Sequence, residues 1–568
     1  MNKQYDFSDH PDISIVLSGE AGQGINTIES VLTRLFKQQG LNVFSCSEFM
    51  SRVRGGLNST QIRVSAGKVD ACVDRIDILI PLSPDLSRLD HRISKKTAII
   101  GEKKVLNTQK PVIDFPFDSV AEALGSRKYS NAVASGLILA LFGIDPSLLD
   151  RYLSLKFADK PQKIIDANIA AAKQGVKKGT DLKEKGVIKI AMAAETKSRQ
   201  SILVTGSEAV GMGALAGGCN FVSSYPMSPS TGVLVFLAGQ SNDFPLVVEQ
   251  AEDEIAALNM VLGAWYAGAR GFATTSGGGF ALMGEAMSLA GMAESPAVVH
   301  IAQRPGPATG LPTRTEQGDL NLALYSGHGD FARALFSPGN LDQAFYLTAN
   351  AFNLADKYQI PVVILTDQYL MDTAYTIPEW DLSALSVKHQ FVKTDPDYCR
   401  YRYTRNGISP RGIPGYGKGL VCVDSDEHDE NGRITEDWIT REKMVKKRMK
   451  RLSLLENSAL MPSVHGNPQG DIVVAAWGSP HNMVLSAVEN AGNNRIKYLH
   501  FSQVYPLNPR IKEVIESADK LVLVENNFSG QFGDLLFKTF GRKIDEKILL
   551  SNGFPFSTEF LTQKFKKL

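Results

Sequence analysis

No run of apolar residues in this chain approaches the roughly 18 that a membrane-spanning helix needs. The opening stretch, "MNKQYDFSDHPD", is polar and acidic and has none of the apolar core of a signal peptide. A cytoplasmic protein with no membrane partner is the expectation. Excess charge is missing too: 61 basic residues against 60 acidic ones leave a net charge of +1. Nothing in that balance provides an electrostatic footprint for nucleic acid or another polyanion. Cysteine is scarce. Cys46, Cys72, Cys219, Cys399 and Cys422 lie far apart and form no C-x-x-C pair. That spacing argues against a disulfide framework, and against zinc or an iron–sulfur cluster held by this chain alone. The five are expected to act as small hydrophobes in the core. If redox chemistry occurs, its electron carrier must lie on another chain.

What is present is an ordinary globular composition, 43% hydrophobic and 21% charged, in 568 residues. That length exceeds one hydrophobic core. The first segment, "ISIVLSGEAGQGINTIESVLTRLFKQQG", passes from a β-branched run (residues 13–17) through a glycine turn into an amphipathic helix ending at Gly40. Together with "STQIRVSAG" and "RIDILIPL" it predicts an α/β unit with a largely parallel sheet. The lysine-rich "KQGVKKGTDLKEKG" (residues 173–186) reads as a linker. From about residue 200, short strands such as "FVSSYP", "GFATTS", "AVVHIAQ" and "PVVILTD" alternate with helical stretches. A last α/β unit begins at "GDIVVAAWGSP". The expected division is residues 1–188, 198–380, an extension with a charged helix over 381–465, and 466–568. The fold class is α/β, in three units.

Several stretches could carry chemistry. In "GEAGQG" (19–24), glycines between a strand and a helix suit either a tight βα turn or a coenzyme phosphate. In "AEDEIAALNMVLGAWYAGAR", Glu254 shares one helical stripe with Leu258, Val261, Leu262 and Trp265. A carboxylate on an apolar stripe is costly unless a partner needs it. Glu252 and Asp253 suit the helix dipole of a first turn. The three glycines of "TTSGGGFALM" either let something flat approach or form a plain turn. Arg304 follows a buried strand, beside a Pro/Gly loop holding Thr309 and Thr313. It reads as a carboxylate clamp on a sheet rim, or as a surface arginine. In "SSYPMSPST" (223–231) two prolines stiffen a loop crowded with hydroxyls. The acidic run "DSDEHDENG" fails as an EF-hand, because its sixth position is Asp429 rather than glycine. It reads as solvated surface. The basic "TREKMVKKRMKRL" reads as a packed surface helix.

Taken together, "YPMSPST", "EDEIAALNMVLGAWYAGARGFATTSGGGFALM", "AQRPGPATGLPTRTEQGDL" and "DSDEHDENGRITED" resemble the α subunit of 2-oxoacid:ferredoxin oxidoreductases, particularly the 2-oxoglutarate type. The front segment, with "GEAGQG" and "SRVRGGLNSTQIRVS", is similar to that family's γ domain, fused here ahead of α. The last unit resembles the transketolase C-terminal-like domain. The resemblance implies a γ domain, a transketolase-like domain for the pyrimidine side of thiamine diphosphate, and that C-terminal domain. It implies oxidative cleavage of a 2-oxoacid, with coenzyme A (CoA), to acyl-CoA and CO2, electrons passing to ferredoxin. A separate β subunit would hold the diphosphate with Mg2+ and a 4Fe-4S cluster, in an αβ or (αβ)2 assembly, and this chain would hold no metal.

Position by position, the resemblance makes Glu254 the partner of N1′ of the aminopyrimidine, with Tyr225, Pro226 and Gly278 also lining the cofactor. Arg304, Thr309 and Ser228 are placed for the substrate's oxo and carboxylate groups. Ser228 stands where the family's Y-P-I-T-P loop has threonine, Gly278 where proline is common, and Ala281 where serine is common. Pro305 and Ala308 replace the more usual glycine and serine. These departures leave open a pyruvate, branched or aryl 2-oxoacid as substrate. A second carboxylate on the substrate would want a further cation, for which Arg314, His328 or a partner-chain residue are candidates. A non-catalytic transketolase-like scaffold is the alternative of another class.

Overall fold

The structure, a computed structural model, describes residues 3–20, 23–50, 57–193 and 200–568. The chain folds into two compact units that are not consecutive in sequence. One takes in Met1–Val204, Thr373–Glu379 and Ser557–Glu559, and the other the rest. Cuts at 188, 380 and 465 therefore miss two returns of the chain. The strand Ala374–Ile377 pairs antiparallel with Asn42–Glu48, and Glu559 accepts backbone N–H bonds from Asp74 and Arg75.

The first unit is built on an eight-stranded sheet. Asp12–Glu20, Ile78–Pro81, Ala98–Gly101 and Val112–Asp114 run parallel. Leu57–Ser65, however, is antiparallel to both Asp12–Glu20 and Asn42–Glu48. The expected parallel sheet is thus only half of it. The helix Ile25–Gln38 does cross over, but the strand it reaches lies two places away, with Leu57–Ser65 inserted between. The short segment between Asn42–Glu48 and Leu57–Ser65 has no room for a crossover helix and forces antiparallel pairing. Within "GEAGQG", Ala21 and Gly22 lie outside the described residues, as does "SRVRGG" (51–56). The described part is tied by Gln23, which accepts from the Glu20 N–H at 2.6 Å and donates to the Leu82 carbonyl at 2.9 Å.

The expected linker is instead the second half of a long helix, Gln162–Glu184. Its lysines face water, while Gly175 and Gly179 lie against the helix Ser130–Phe142. A Cβ at either glycine would collide with the Val133 or Leu137 carbonyl. Close backbone approach, rather than apolar bulk, makes this contact, which is why composition hid it.

The second unit carries a seven-stranded sheet in the order Val247–Gln250, Phe221–Ser224, Gly271–Thr275, Ala297–Gln303, Pro361–Asp367, Ala334–Phe336 and Gln503–Tyr505. All neighbours are parallel except the last pair. A five-stranded sheet follows, with Ile472–Trp477 between Ile496–Phe501 and Lys520–Glu525. Among the described residues no helix is long and apolar enough to cross a membrane.

Two readings of the 424–451 region need correction. Asp426 is exposed, but His428 is fully buried with its ring 3.8 Å from that of Tyr401. Glu427 receives a bidentate Arg448 at 2.9 and 2.7 Å and also Arg441. The helix Trp438–Ser458 likewise buries Lys447, Arg448 and Arg451. Its basic face points inward because carboxylates await it there. Of the cysteines, Cys72 and Cys219 are buried, whereas Cys46, Cys399 and Cys422 are only partly so. The core role thus holds for two.

Candidate active site

Parallel strands put the loops that follow them on one edge of a sheet, where open α/β proteins bind ligands. Here the strands ending at Ser224, Gln250, Thr275 and Gln303 lie side by side. They deliver in turn the loop of Tyr225 and Ser228, the helix beginning at Glu254, the three glycines, which open the short helix Gly277–Leu282 rather than form a plain turn, and Arg304.

Glu254 opens the helix Glu254–Tyr266, capped by Asp253, whose side chain accepts from the Ala256 N–H at 2.8 Å. The stripe below it, Leu258, Val261, Leu262 and Trp265, is buried as its spacing predicts. Glu254 itself is 3% exposed, and its Oε1 has no hydrogen-bond partner. An unpaired buried carboxylate oxygen is a real cost to a folded chain.

The three glycines explain how the carboxylate fits. A Cβ on Gly279 would stand 2.5 Å from Glu254 Oε1. A Cβ on Gly277 would overlap both carboxylate oxygens of Asp319. Gly278 between them is exposed, and the nearest atom to a Cβ there is the Ala308 carbonyl at 3.9 Å. The required glycines are therefore the flanking pair. Around these glycines Ser276 Oγ, Glu254 Oε1 and Asp319 Oδ2 are all buried without partners.

Arg304 is half-buried and donates from Nη1 to the Ser228 carbonyl at 2.7 Å, so the structure joins these two predicted residues. Burial draws its pKa down, opposed by the negative charge of Asp319. Asp319 is pushed up to about 6 by burial, then by the nearby Glu316, against the pull of Arg304. Thr309 is exposed in a loop folded tightly on itself, where Ala308 has φ 54° and a Cβ on Gly310 would strike the Pro305 carbonyl. Tyr225 and Ser228 are exposed and Pro226 is half-buried. Arg314 packs its guanidinium over the Phe554 ring at 4.8 Å, and His328 is a surface residue bonded to Glu285 at 2.9 Å.

Sequence reasoning missed Asp319 and Ser276. Asp319 precedes the short helix Leu320–Tyr325 and reads as an ordinary N-cap, but its side chain makes no cap bond. A separate cavity of about 220 Å³, lined by Trp265, Tyr266, Arg400 and Arg411, opens at the other end of the Glu254 helix.

Residues 212–447 match the family model described as the thiamine-diphosphate-binding part of pyruvate flavodoxin/ferredoxin oxidoreductases. Residues 14–178 match the model for pyruvate ferredoxin/flavodoxin oxidoreductase. An α subunit of 2-oxoacid:ferredoxin oxidoreductase from a Sulfolobus species is 28% identical, over 98% of this chain and 97% of its own. The KorA subunit of 2-oxoglutarate synthase from Methanothermobacter marburgensis is 32% identical, over 59% and 90% respectively. The solved 2-oxoglutarate:ferredoxin oxidoreductase of Magnetococcus marinus, with 2-oxoglutarate, CoA and succinyl-CoA bound, superposes with a TM-score of 0.91. It is 29% identical over 98% of this chain and all of that one. Fold, site and matches define an oxidoreductase subunit with a domain of the thiamine-diphosphate-binding type. More narrowly, the chain belongs to the α subunits of the 2-oxoacid:ferredoxin oxidoreductase family.

Proposed function

We propose that the chain is the α-type subunit of a 2-oxoglutarate:ferredoxin oxidoreductase, with the γ segment fused in front. The reaction converts 2-oxoglutarate and CoA to succinyl-CoA and CO2, passing two electrons to ferredoxin, and is reversible with a low-potential donor. A partner β subunit carries Mg2+, the diphosphate end of the cofactor and a 4Fe-4S cluster.

The observation that carries this reading is the buried, partnerless Glu254 Oε1 on a sheet rim. A ring nitrogen is the kind of group such an oxygen fits, because a carboxyl held in apolar surroundings can donate a proton to it. Thiamine diphosphate, when bound, supplies the electron sink that lets a 2-oxoacid lose CO2. Glu254 would hold the proton at N1′ of its aminopyrimidine, and the glycines Gly277–Gly279 would leave room for the ring. Arg304 would orient the substrate carboxylate, fixed in place by the Ser228 carbonyl. Ser228, on its proline-stiffened loop, would offer a hydroxyl with little rotation to lose.

The test is viologen reduction by the chain co-expressed with its β partner, given CoA and thiamine diphosphate. Reduction with 2-oxoglutarate well above that with pyruvate supports the reading. A preference for pyruvate overturns the substrate, and no rate with any 2-oxoacid, in an assembly loaded with cluster and cofactor, favours a scaffold.

A further inference from the structure

We propose that Asp319 is a positioning residue, the counter-ion of Arg304 in the empty site, and that it takes up a proton when a 2-oxoacid carboxylate claims the guanidinium. The inference rests on the reading of Arg304 as the carboxylate clamp.

Geometry isolates this carboxylate. Its Oδ2 is buried without a partner, its backbone N–H is spent on Gln303 Oε1 at 3.0 Å, and Gly277 presses against both its oxygens. Gln303 is held in turn by the Thr366 carbonyl at 3.0 Å, so Asp319 is fixed to the end of the strand Ala297–Gln303, which Arg304 follows. The short helix Gly277–Leu282 brings no ionisable group. The loop from Arg304 contributes Arg304 and Glu316, while its other cation, Arg314, packs over Phe554; Glu254 lies on the other side of the glycines. From the C-terminal segment Glu525 approaches through Asn527, but its oxygens accept from Asn527 and the Phe532 N–H. Arg304 is therefore the cation whose field Asp319 feels.

The sign follows. Before substrate binds, burial and then Glu316 push the Asp319 carboxyl up to about 6, against the pull of Arg304. A bound carboxylate spends the positive charge of Arg304 and adds a negative one, so it raises Asp319 further. Above pH 6 each binding event then carries a proton with it, and by linkage KM rises with pH by up to about tenfold per unit. The reacting atoms do not involve this proton, so kcat keeps its own profile.

Two measurements on the assembled enzyme test this. Titration calorimetry with 2-hydroxyglutarate, which has the carboxylates but no oxo group to react, is run at pH 7.5 in phosphate and in Tris. Uptake of roughly half to one proton per site is expected from the linkage, and no uptake overturns the inference without any variant. In Asp319→Asn, a neutral side chain of the same shape, KM for 2-oxoglutarate should be flat from pH 6 to 8.5. At pH 8 it should be lower than in the natural protein by about tenfold, with kcat changed far less. A KM profile shared with the unaltered enzyme overturns the inference while leaving the function standing. An assembly that turns over no 2-oxoacid overturns the function instead, and one that also fails to bind 2-hydroxyglutarate overturns both.

Discussion

Two pairs of carboxylates in the larger unit, each with buried oxygens, differ in the company they keep. Asp356 is fully buried between Arg270 at 3.1 Å and Arg411 at 2.6 Å. Glu294, equally buried, is gripped by Lys447 at 2.6 Å and by Arg451. Glu254 is nearly as inaccessible and Asp319 is half-buried, yet each keeps a buried oxygen that bonds to nothing. The first pair lies deep in the unit and ties the 380–458 extension to the helix Leu341–Tyr358 and to the segment after the helix Gly284–Met292. The second lies on the rim against the three glycines. Burial of charge therefore does not by itself mark function. Burial of an oxygen without a partner, beside a sheet rim, is the pattern on which the proposed roles of Glu254 and Asp319 rest.

Several substitutions can break or sharpen this contrast. The largest effect is expected for Glu254→Gln, which keeps the volume and loses the acid: viologen reduction should fall by about 10²–10⁴-fold with an unchanged melting temperature. A large loss of stability with activity per folded molecule intact would move Glu254 into the structural class. Glu294→Ala should do the opposite. It strands Lys447 and Arg451 in the interior, at a cost of about 3–5 kcal/mol read from denaturant unfolding, while the folded fraction works normally. Gly279→Ala should reduce kcat by about tenfold or more by displacing the Glu254 carboxylate.

The smallest effect concerns pH. Burial pushes Asp367 up to about 6 and Glu525 up to about 7, each against its hydrogen bonds. Folded values above the unfolded ones mean that their stabilising contribution is full below about pH 4 and is lost as pH rises through 6 and 7. The melting temperature should therefore decline by a few degrees between pH 5 and 8, and Asp367→Asn should flatten that decline. Glu427 runs the other way: burial would raise it, but Arg448 and Arg441 hold it down to about 2. Its contribution is present above about pH 4.5 and is lost only as pH falls towards 2.

How much of this was legible in the sequence depended on distance along the chain. The stripe from Glu254 to Trp265 was readable because helical spacing sets it locally. The strand-to-loop placement of Arg304 followed from alternation alone. The bond from Arg304 to the Ser228 carbonyl spans 76 residues, and no spacing rule reaches that far. Asp319 was hidden because an acid before a helix normally caps it. The inward face of the basic helix was hidden because its partner Glu294 lies 153 residues from Lys447. The strand Ala374–Ile377 was assigned to the neighbouring unit because pairing partners, unlike strands, leave no periodic trace.

The measurement that most directly tests the central claim is viologen reduction by the assembled enzyme with 2-oxoglutarate and with pyruvate, comparing the natural chain with Glu254→Gln. A clear preference for 2-oxoglutarate is expected, with a loss of about 10²–10⁴-fold in the variant and cluster content and assembly unchanged. A variant that keeps its full rate would contradict it, because the unpaired carboxylate would then have no part in the chemistry.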